Sequence, residues 1–172
     1  MDVIIVGAGI AGLSLAASIR QFGGNVQVIE QSPSLREAGA GIQIPANGMH
    51  VLRRLGLEQA IAQCAFMPQE ATYCDFATGD TLLRRPLGRL AAERYGAPTY
   101  QVHRRDLLQV LGNLLPPEVI TYGARCVDVE QRADGVSVTL ADGSVKRADM
   151  AIGADGIHSV IREQLFGAQQ TR

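Results

Sequence analysis

The chain is 172 residues long, 47% hydrophobic and 19% charged, which is enough to bury one core with room for an incomplete second. A net charge of −1 and a pI near 6.3 supply no attraction toward nucleic acid or an anionic membrane, so neither is expected as a partner. The odd set Cys64, Cys74 and Cys126 lacks any CxxC or metal-ligand spacing, which argues against a disulfide framework and a metal centre and for buried, reduced thiols.

Val3-Ile4-Ile5-Val6 suits a parallel strand buried on both faces, and it runs straight into Gly7-Ala8-Gly9-Ile10-Ala11-Gly12. Residues 10–22 read as an amphipathic helix, with small Ala16 and Ala17 able to approach a sheet, and Gly23-Gly24 ends it. Residues 25–30 are a second strand closed by Glu30, eighteen positions after Gly12. This strand, glycine turn, helix, strand, acid order is the fingerprint of a dinucleotide fold. The glycines let backbone approach a pyrophosphate at the helix N-terminus, and the acid accepts hydrogen bonds from a ribose diol. A carboxylate there repels a 2′-phosphate, so FAD or NAD is expected and not NADP. The apolar stretch 3–19 imitates a signal or membrane segment, but Asp2 flanks it, glycines interrupt it and seventeen residues is the bottom of the spanning range; with no targeting segment, a cytoplasmic home is expected.

Residues 31–45 form a long glycine-rich loop containing Ser32-Pro33 and Gly39-Ala40-Gly41-Ile42, where main chain can come close to something flat or bulky. Helices are expected from 46 or 47 to 55, before Gly56, and over 58–63. Residues 70–87 read as a β-hairpin around Ala77-Thr78-Gly79-Asp80, and residues 88–98 as a polar, mobile loop. A short strand over 100–102 leads into a helix from His103 to near Leu115, before Pro116-Pro117. Residues 119–122 are strand-like, and 126–130 with 136–140 form a second hairpin whose Val136, Val138 and Leu140 give one buried and one wet face. Asp142-Gly143 turns into a strand over 144–152, followed by Gly153-Ala154-Asp155-Gly156 and a closing helix over 157–166. Asp155 taken alone suits a helix cap as well as a cofactor contact.

Together, the Gly7 to Gly12 turn with Glu30, the Gly39-Ala40-Gly41-Ile42 loop, His103-Arg104 before a leucine-rich helix, and Ala154-Asp155-Gly156 with Ser159 and Arg162 resemble the single-component FAD-dependent aromatic hydroxylases, which include salicylate, 3-hydroxybenzoate and 6-hydroxynicotinate hydroxylases. The resemblance implies an α/β fold: a Rossmann-like FAD-binding domain of the glutathione-reductase type, parallel sheet plus β-meander, with the start of a second, substrate-domain β-sheet. Residues 1–69 and 99–172 would form the FAD-binding domain, incomplete, and 70–98 an excursion contributing to the substrate-binding sheet. Gly7, Gly9, Ile10, Ala11 and Gly12 would surround the FAD pyrophosphate and Glu30 would meet the adenosine ribose, with Gln31 a further cofactor contact. Arg104 matches the family's flavin-contacting arginine, its rigid paired donors suiting phosphate or ribityl oxygens, whereas Arg105 lies off the motif and is expected to be solvated. Asp155 and Gly156 match the DG motif, which serves FAD binding and is linked to the NAD(P)H interaction, supported by Arg162; Cys126 falls where main chain meets the adenine; Gln43 falls near the isoalloxazine, as a contact to flavin or substrate.

The implied reaction uses NADH or NADPH to reduce FAD, captures dioxygen as a flavin C4a-hydroperoxide and hydroxylates a small aromatic substrate such as a hydroxybenzoate or nicotinate, with no metal. The family is roughly twice this long. Its GD motif and most of the substrate sheet lie beyond Arg172, so the chain is expected to be the amino-terminal half, inactive alone, acting with a complementary carboxyl-terminal chain or segment. Catalytic residues are not identifiable in it. A non-catalytic flavin or nucleotide-binding module is the alternative, and an NAD-dependent dehydrogenase is disfavoured because the antiparallel excursion after residue 70 replaces the expected βα units.

Overall fold

The computed structural model describes residues 1–35 and 40–167. In chain order these form β1 (Asp2–Val6), α1 (Ile10–Gln21), β2 (Asn25–Ile29), β3 (Gly41–Ile44), α2 (Ala46–Arg54), α3 (Glu58–Cys64), β4 (Ala65–Phe66), β5 (Glu70–Cys74) and β6 (Thr81–Pro86). Then follow α4 (Arg89–Tyr95), β7 (Tyr100–His103), α5 (Arg104–Gly112), a 3₁₀ turn (Pro117–Val119), β8 (Ile120–Thr121), β9 (Cys126–Arg132), β10 (Gly135–Leu140), β11 (Val145–Ala148), β12 (Met150–Gly153), a second 3₁₀ turn (Gly156–His158) and α6 (Val160–Phe166). Packing divides the chain into two compact units, Met1–Arg36 with Leu111–Arg172 and Glu37–Val110. No helix among the described residues is long and apolar enough to cross a membrane.

In the first unit, β12, β1, β2 and β8 lie side by side in that order, all parallel. Val3, Ile4, Ile5 and Val6 are all buried, as an apolar run with no polar alternation requires of a strand covered on both faces. Each such side chain contributes roughly 1.5–3 kcal/mol relative to staying in water. On α1, Gly12, Leu13, Ala16 and Ala17 form the buried stripe, and their small size lets the helix lie close to β1 and β2. A three-stranded antiparallel meander, β11-β10-β9, stands beside this sheet. Its Cys126, Val138 and Leu140 share one core with Ile4, Val6 and Ile29 of the parallel sheet and Ile161 of α6.

Expectation and structure differ in this unit at two places. Residues 144–152 are two strands in different sheets, broken at Asp149. The Asp149 main-chain N–H donates to the Asp2 carbonyl, and its carboxylate accepts the Asp2 N–H at 2.7 Å, so pairing with β1 takes over from pairing with β10 at that residue. On β10 the wet face is incomplete, because Ser137 is buried and its hydroxyl accepts a hydrogen bond from Arg132 Nε at 3.1 Å.

The second unit carries an antiparallel sheet ordered β3-β7-β4, the hairpin β5-β6, and helices α2, α3, α4 and most of α5. It runs without a break over Glu37–Val110 and so contains the 70–87 hairpin. The loop expected over 31–45 contains β3, whose partner β7 lies some sixty residues away in sequence. The loop expected over 88–98 is mostly the helix α4: Leu87, Ala91 and Ala97 are buried, Gly96 takes a left-handed C-cap at φ 74°, and apolar burial decides the conformation of an otherwise charged segment. His103 ends β7 instead of opening α5, and its ring Nδ1 accepts the Arg105 N–H at 3.3 Å. Cys74 is exposed on the hairpin and Cys64 half-buried, so of the three free thiols Cys126 alone is buried as expected; a two-stranded ribbon has no second layer to cover Cys74.

Candidate nucleotide-binding site

Three residues of the glycine turn do three different jobs. Gly7 follows β1 with φ 108°, a conformation costly for any side chain, and a Cβ there would strike the Ala154 carbonyl after β12. Gly12 lies in the first turn of α1 directly over the Gly7 carbonyl, so a Cβ would collide with main chain. Gly9 is different. Its backbone, at φ −74° and ψ −177°, is open to any residue, and a Cβ would meet nothing within 4 Å. The folded chain therefore requires glycine at 7 and 12 but leaves an unfilled space at 9, where α1 begins.

That beginning is bare. Gly9 caps α1 without a side-chain hydrogen bond, and the first turn carries no acidic residue. Its leading N–H groups have no intrahelical acceptor, and the helix dipole adds partial positive charge, a setting that favours an anion.

Glu30 follows β2 and is half-buried. Its Oε2 accepts the Ala8 N–H at 2.7 Å and its Oε1 accepts the Ser32 N–H at 2.8 Å, joining the glycine turn to the loop after β2. Its main chain is held by a hydrogen bond to the carbonyl of Thr121, the last residue of β8, and one from the Ala124 N–H. Burial first, and then the Glu30 carboxylate, raise the Tyr122 phenol above its ordinary range. Ser32 and Thr121 are the residues that motif reading missed; the turn-forming Ser32-Pro33 was the signal for the first, and nothing local marks the second. Gln31 is exposed beside Glu30.

The turn after β12 is built in the opposite way. Asp155 Oδ1 accepts the Ser159 hydroxyl at 2.6 Å, and Oδ2 accepts the Val160 N–H at 2.7 Å. Ser159 Oγ in turn accepts the Arg162 N–H at 3.0 Å, and the Arg162 guanidinium donates to the Ile157 carbonyl at 2.7 Å. The Asp155 carboxylate thus caps α6, while its main chain, with that of Ala154, lies against Gly7. Gly156 takes φ 77° with open space around it. Cys126, at the start of β9, points its thiol into the core, where burial pushes its pKa up; its main chain continues the meander edge.

The remaining candidates belong to the second unit. Gln43 is exposed on β3 opposite Gln101 of β7, and Arg104 opens α5 with its N–H donating to the Ala40 carbonyl at 3.0 Å. Arg105 is exposed and pairs with Asp106 at 3.6 Å. Gly39 lies outside the described residues.

Within the first unit, then, β1 and β12 are neighbouring parallel strands whose carboxyl ends carry the glycine turn and the Asp155-Gly156 turn side by side, with Glu30 at the end of the next strand. Ligands of open α/β sheets bind at such strand ends. The open space at Gly9, the uncapped helix and the single carboxylate fit the diphosphate and one ribose of an adenine dinucleotide. Residues 1–171 match the FAD binding domain family over nearly the whole chain. The chain belongs to that family. This FAD-binding domain is 42% identical to 3-amino-4-hydroxybenzoate 2-monooxygenase of Streptomyces cremeus over 163 residues, covering 95% of the chain and 41% of that protein. It is 41% identical to 6-hydroxynicotinate 3-monooxygenase of Pseudomonas fluorescens over 167 residues, covering 97% of the chain and 43% of that protein. Its fold superposes on Klebsiella pneumoniae HpxO complexed with FAD and uric acid at a TM-score of 0.87, with 32% identity, across 100% of this chain and 43% of that one. The domain therefore spans about two-fifths of the length of these relatives.

Proposed function

We propose that this chain is the flavin-binding half of an NAD(P)H-dependent monooxygenase that hydroxylates a small aromatic ring of the hydroxybenzoate or nicotinate kind. The observation that carries the reading is the glycine turn at the uncapped start of α1, in which Gly7 and Gly12 are demanded by the protein's own packing while a Cβ at Gly9 would meet no protein atom within 4 Å. Bound FAD supplies the electron transfer from the nicotinamide and the activation of dioxygen. The chain's part is to hold it. The first-turn N–H groups at Ile10, Ala11 and Gly12 face the diphosphate, and Glu30 with Gln31 the adenosine ribose. Main chain at Cys126 serves the adenine, and main chain at Asp155 and Gly156 serves the flavin end. From the second unit we assign Gln43 and Arg104 to the cofactor, Arg104 as a rigid fork for phosphate or ribityl oxygens. The hairpin within 70–98 belongs, in this reading, to a substrate-facing sheet completed by a carboxyl-terminal half.

Titration of the purified chain with FAD tests the first step, read by quenching of flavin fluorescence and by the visible spectrum of the retained ligand. Saturable binding of FAD, with no oxygen consumption on adding NADH or NADPH and 6-hydroxynicotinate, is expected. Oxygen uptake should appear once a carboxyl-terminal half from a full-length relative is supplied. Binding of NAD in preference to FAD would sink the proposal, and FAD binding that never gains oxygen uptake would favour a non-catalytic flavin module.

A further inference from the structure

β9 is an outer strand of the meander, and its pairing with β10 is irregular at one place. Cys126 faces Leu140 and Asp128 faces Thr139, so Val127 is passed over and the strand bulges there. A bulge bends its strand and re-aims the residues around it, and bulges concentrate at sheet edges and beside functional sites. This one is spanned twice. Within the strand, the buried Cys126 thiol donates to the Asp128 carbonyl at 3.8 Å. From α6, Gln164 reaches across: its side-chain carbonyl accepts the Val129 N–H at 3.0 Å, and its side-chain amide donates to the Asp128 carboxylate at 2.5 Å.

Only one orientation of the Gln164 amide serves both partners, because an N–H needs an acceptor and a carboxylate needs a donor. Gln164 is exposed, so water could satisfy it equally well, and ordering the side chain on one strand costs rotamer freedom for little gain in stability. What the contact does is close a path. α6 packs along β9, and its N-terminus is fixed by Asp155 and Ser159. Main chain at Ala154 and Asp155 in turn lies against Gly7. Gln164 therefore ties the two residues just after the bulge to the turn that abuts the glycine turn.

An edge strand presents N–H and C=O groups to whatever lies beside it. Adenine offers an acceptor at N1 and a donor at its 6-amino group, whereas hypoxanthine reverses both, so a main-chain donor and acceptor held in place suit the first base and leave the second unpaired. We propose that Gln164 is a positioning residue for the nucleotide base: it pins the bulge so that main chain at 126–127 stays in register with the ribose and diphosphate contacts and selects adenine over a 6-oxopurine. Gln164 itself touches no ligand. The assignment rests on the reading above that main chain at Cys126 serves the adenine.

The test is calorimetric titration of the purified chain with adenosine diphosphate, inosine diphosphate and FAD; the first two share diphosphate and ribose and differ only in the base. The unaltered chain should bind adenosine diphosphate at least about tenfold more tightly than inosine diphosphate. Gln164→Ala should cut that preference to about twofold and weaken FAD about fivefold, with inosine diphosphate affinity changed less than about twofold. Gln164→Glu cannot donate to Asp128 and should behave like Gln164→Ala, and adding Asp128→Asn should restore the preference by exchanging donor and acceptor. An unchanged preference in Gln164→Ala, equal weakening of both diphosphates or a double variant without rescue would overturn the assignment and leave FAD binding standing. Equal binding of the two diphosphates by the unaltered chain would overturn it as well. A chain that binds none of the three removes the flavin reading, and this assignment with it.

Discussion

The turns after β1 and after β12 sit at the ends of adjacent parallel strands and each delivers a helix, yet they treat its N-terminus in opposite ways. After β12, Asp155 and Ser159 fill the N-terminus of α6 with the chain's own oxygens. After β1, α1 starts at a glycine with no side-chain cap and open space beside it. The same backbone need, unpaired N–H groups at a helix start, is met internally in one turn and left open in the other. Sequence similarity between two Gly-containing strand-to-helix turns therefore says little about which one holds an anion; the presence or absence of a capping oxygen says much more.

Substitution can break this contrast. Gly12→Ala drives a Cβ into the Gly7 carbonyl and should cost about 3 kcal/mol, read as a lower urea midpoint; a change within about 0.5 kcal/mol would show that α1 can move away freely. Gly9→Ala has space for its methyl and should leave the urea midpoint unchanged while weakening FAD at least about tenfold, or about 1.4 kcal/mol. Undiminished FAD affinity in that variant would remove the diphosphate from the α1 turn. Asp155→Ala exposes the N–H of Val160 and strips Ser159 of its acceptor, for a loss of about 1 kcal/mol in thermal unfolding, and Asp155→Asn should recover most of it. If Asp155→Ala instead leaves stability untouched and abolishes FAD binding, the carboxylate serves the ligand and not the helix. The smallest effect concerns Cys126, whose thiol is held above its ordinary pKa by burial and, further down, by the Asp155 carboxylate. A thiol reagent should label exposed Cys74 well before Cys126, and Asp155→Ala should speed Cys126 labelling by a few fold.

Much of the first unit was legible because its signals are local. Four apolar residues, a glycine turn and an acid after the next strand dictate β1, α1 and β2 with little help from distant residues, and Glu30 lands where the turn's own N–H can reach it. The 70–87 hairpin was legible from its Asp-rich turn, where Asp75 accepts the N–H groups of Ala77 and Thr78. What escaped were segments whose conformation is settled by a remote partner. Residues 41–44 read as loop because β7, which makes them a strand, is not visible locally. Residues 89–95 read as loop because their composition is charged, and only the burial of Ala91 and the capping of Tyr95 and Gly96 by His50 and Arg53 make a helix pay there.

The sequence by itself determined the steric form of the first turn and the acid at the end of the next strand, since glycine spacing and one carboxylate are covalent facts that no packing can supply or remove. Tertiary structure alone decided that Asp155 spends its oxygens on α6, that residues 144–152 divide between two sheets at Asp149, and that Gln164 holds β9 just past its bulge. The reason is physical: a turn's steric demands act over a few bonds, whereas hydrogen-bond partners are chosen only when distant segments are brought together.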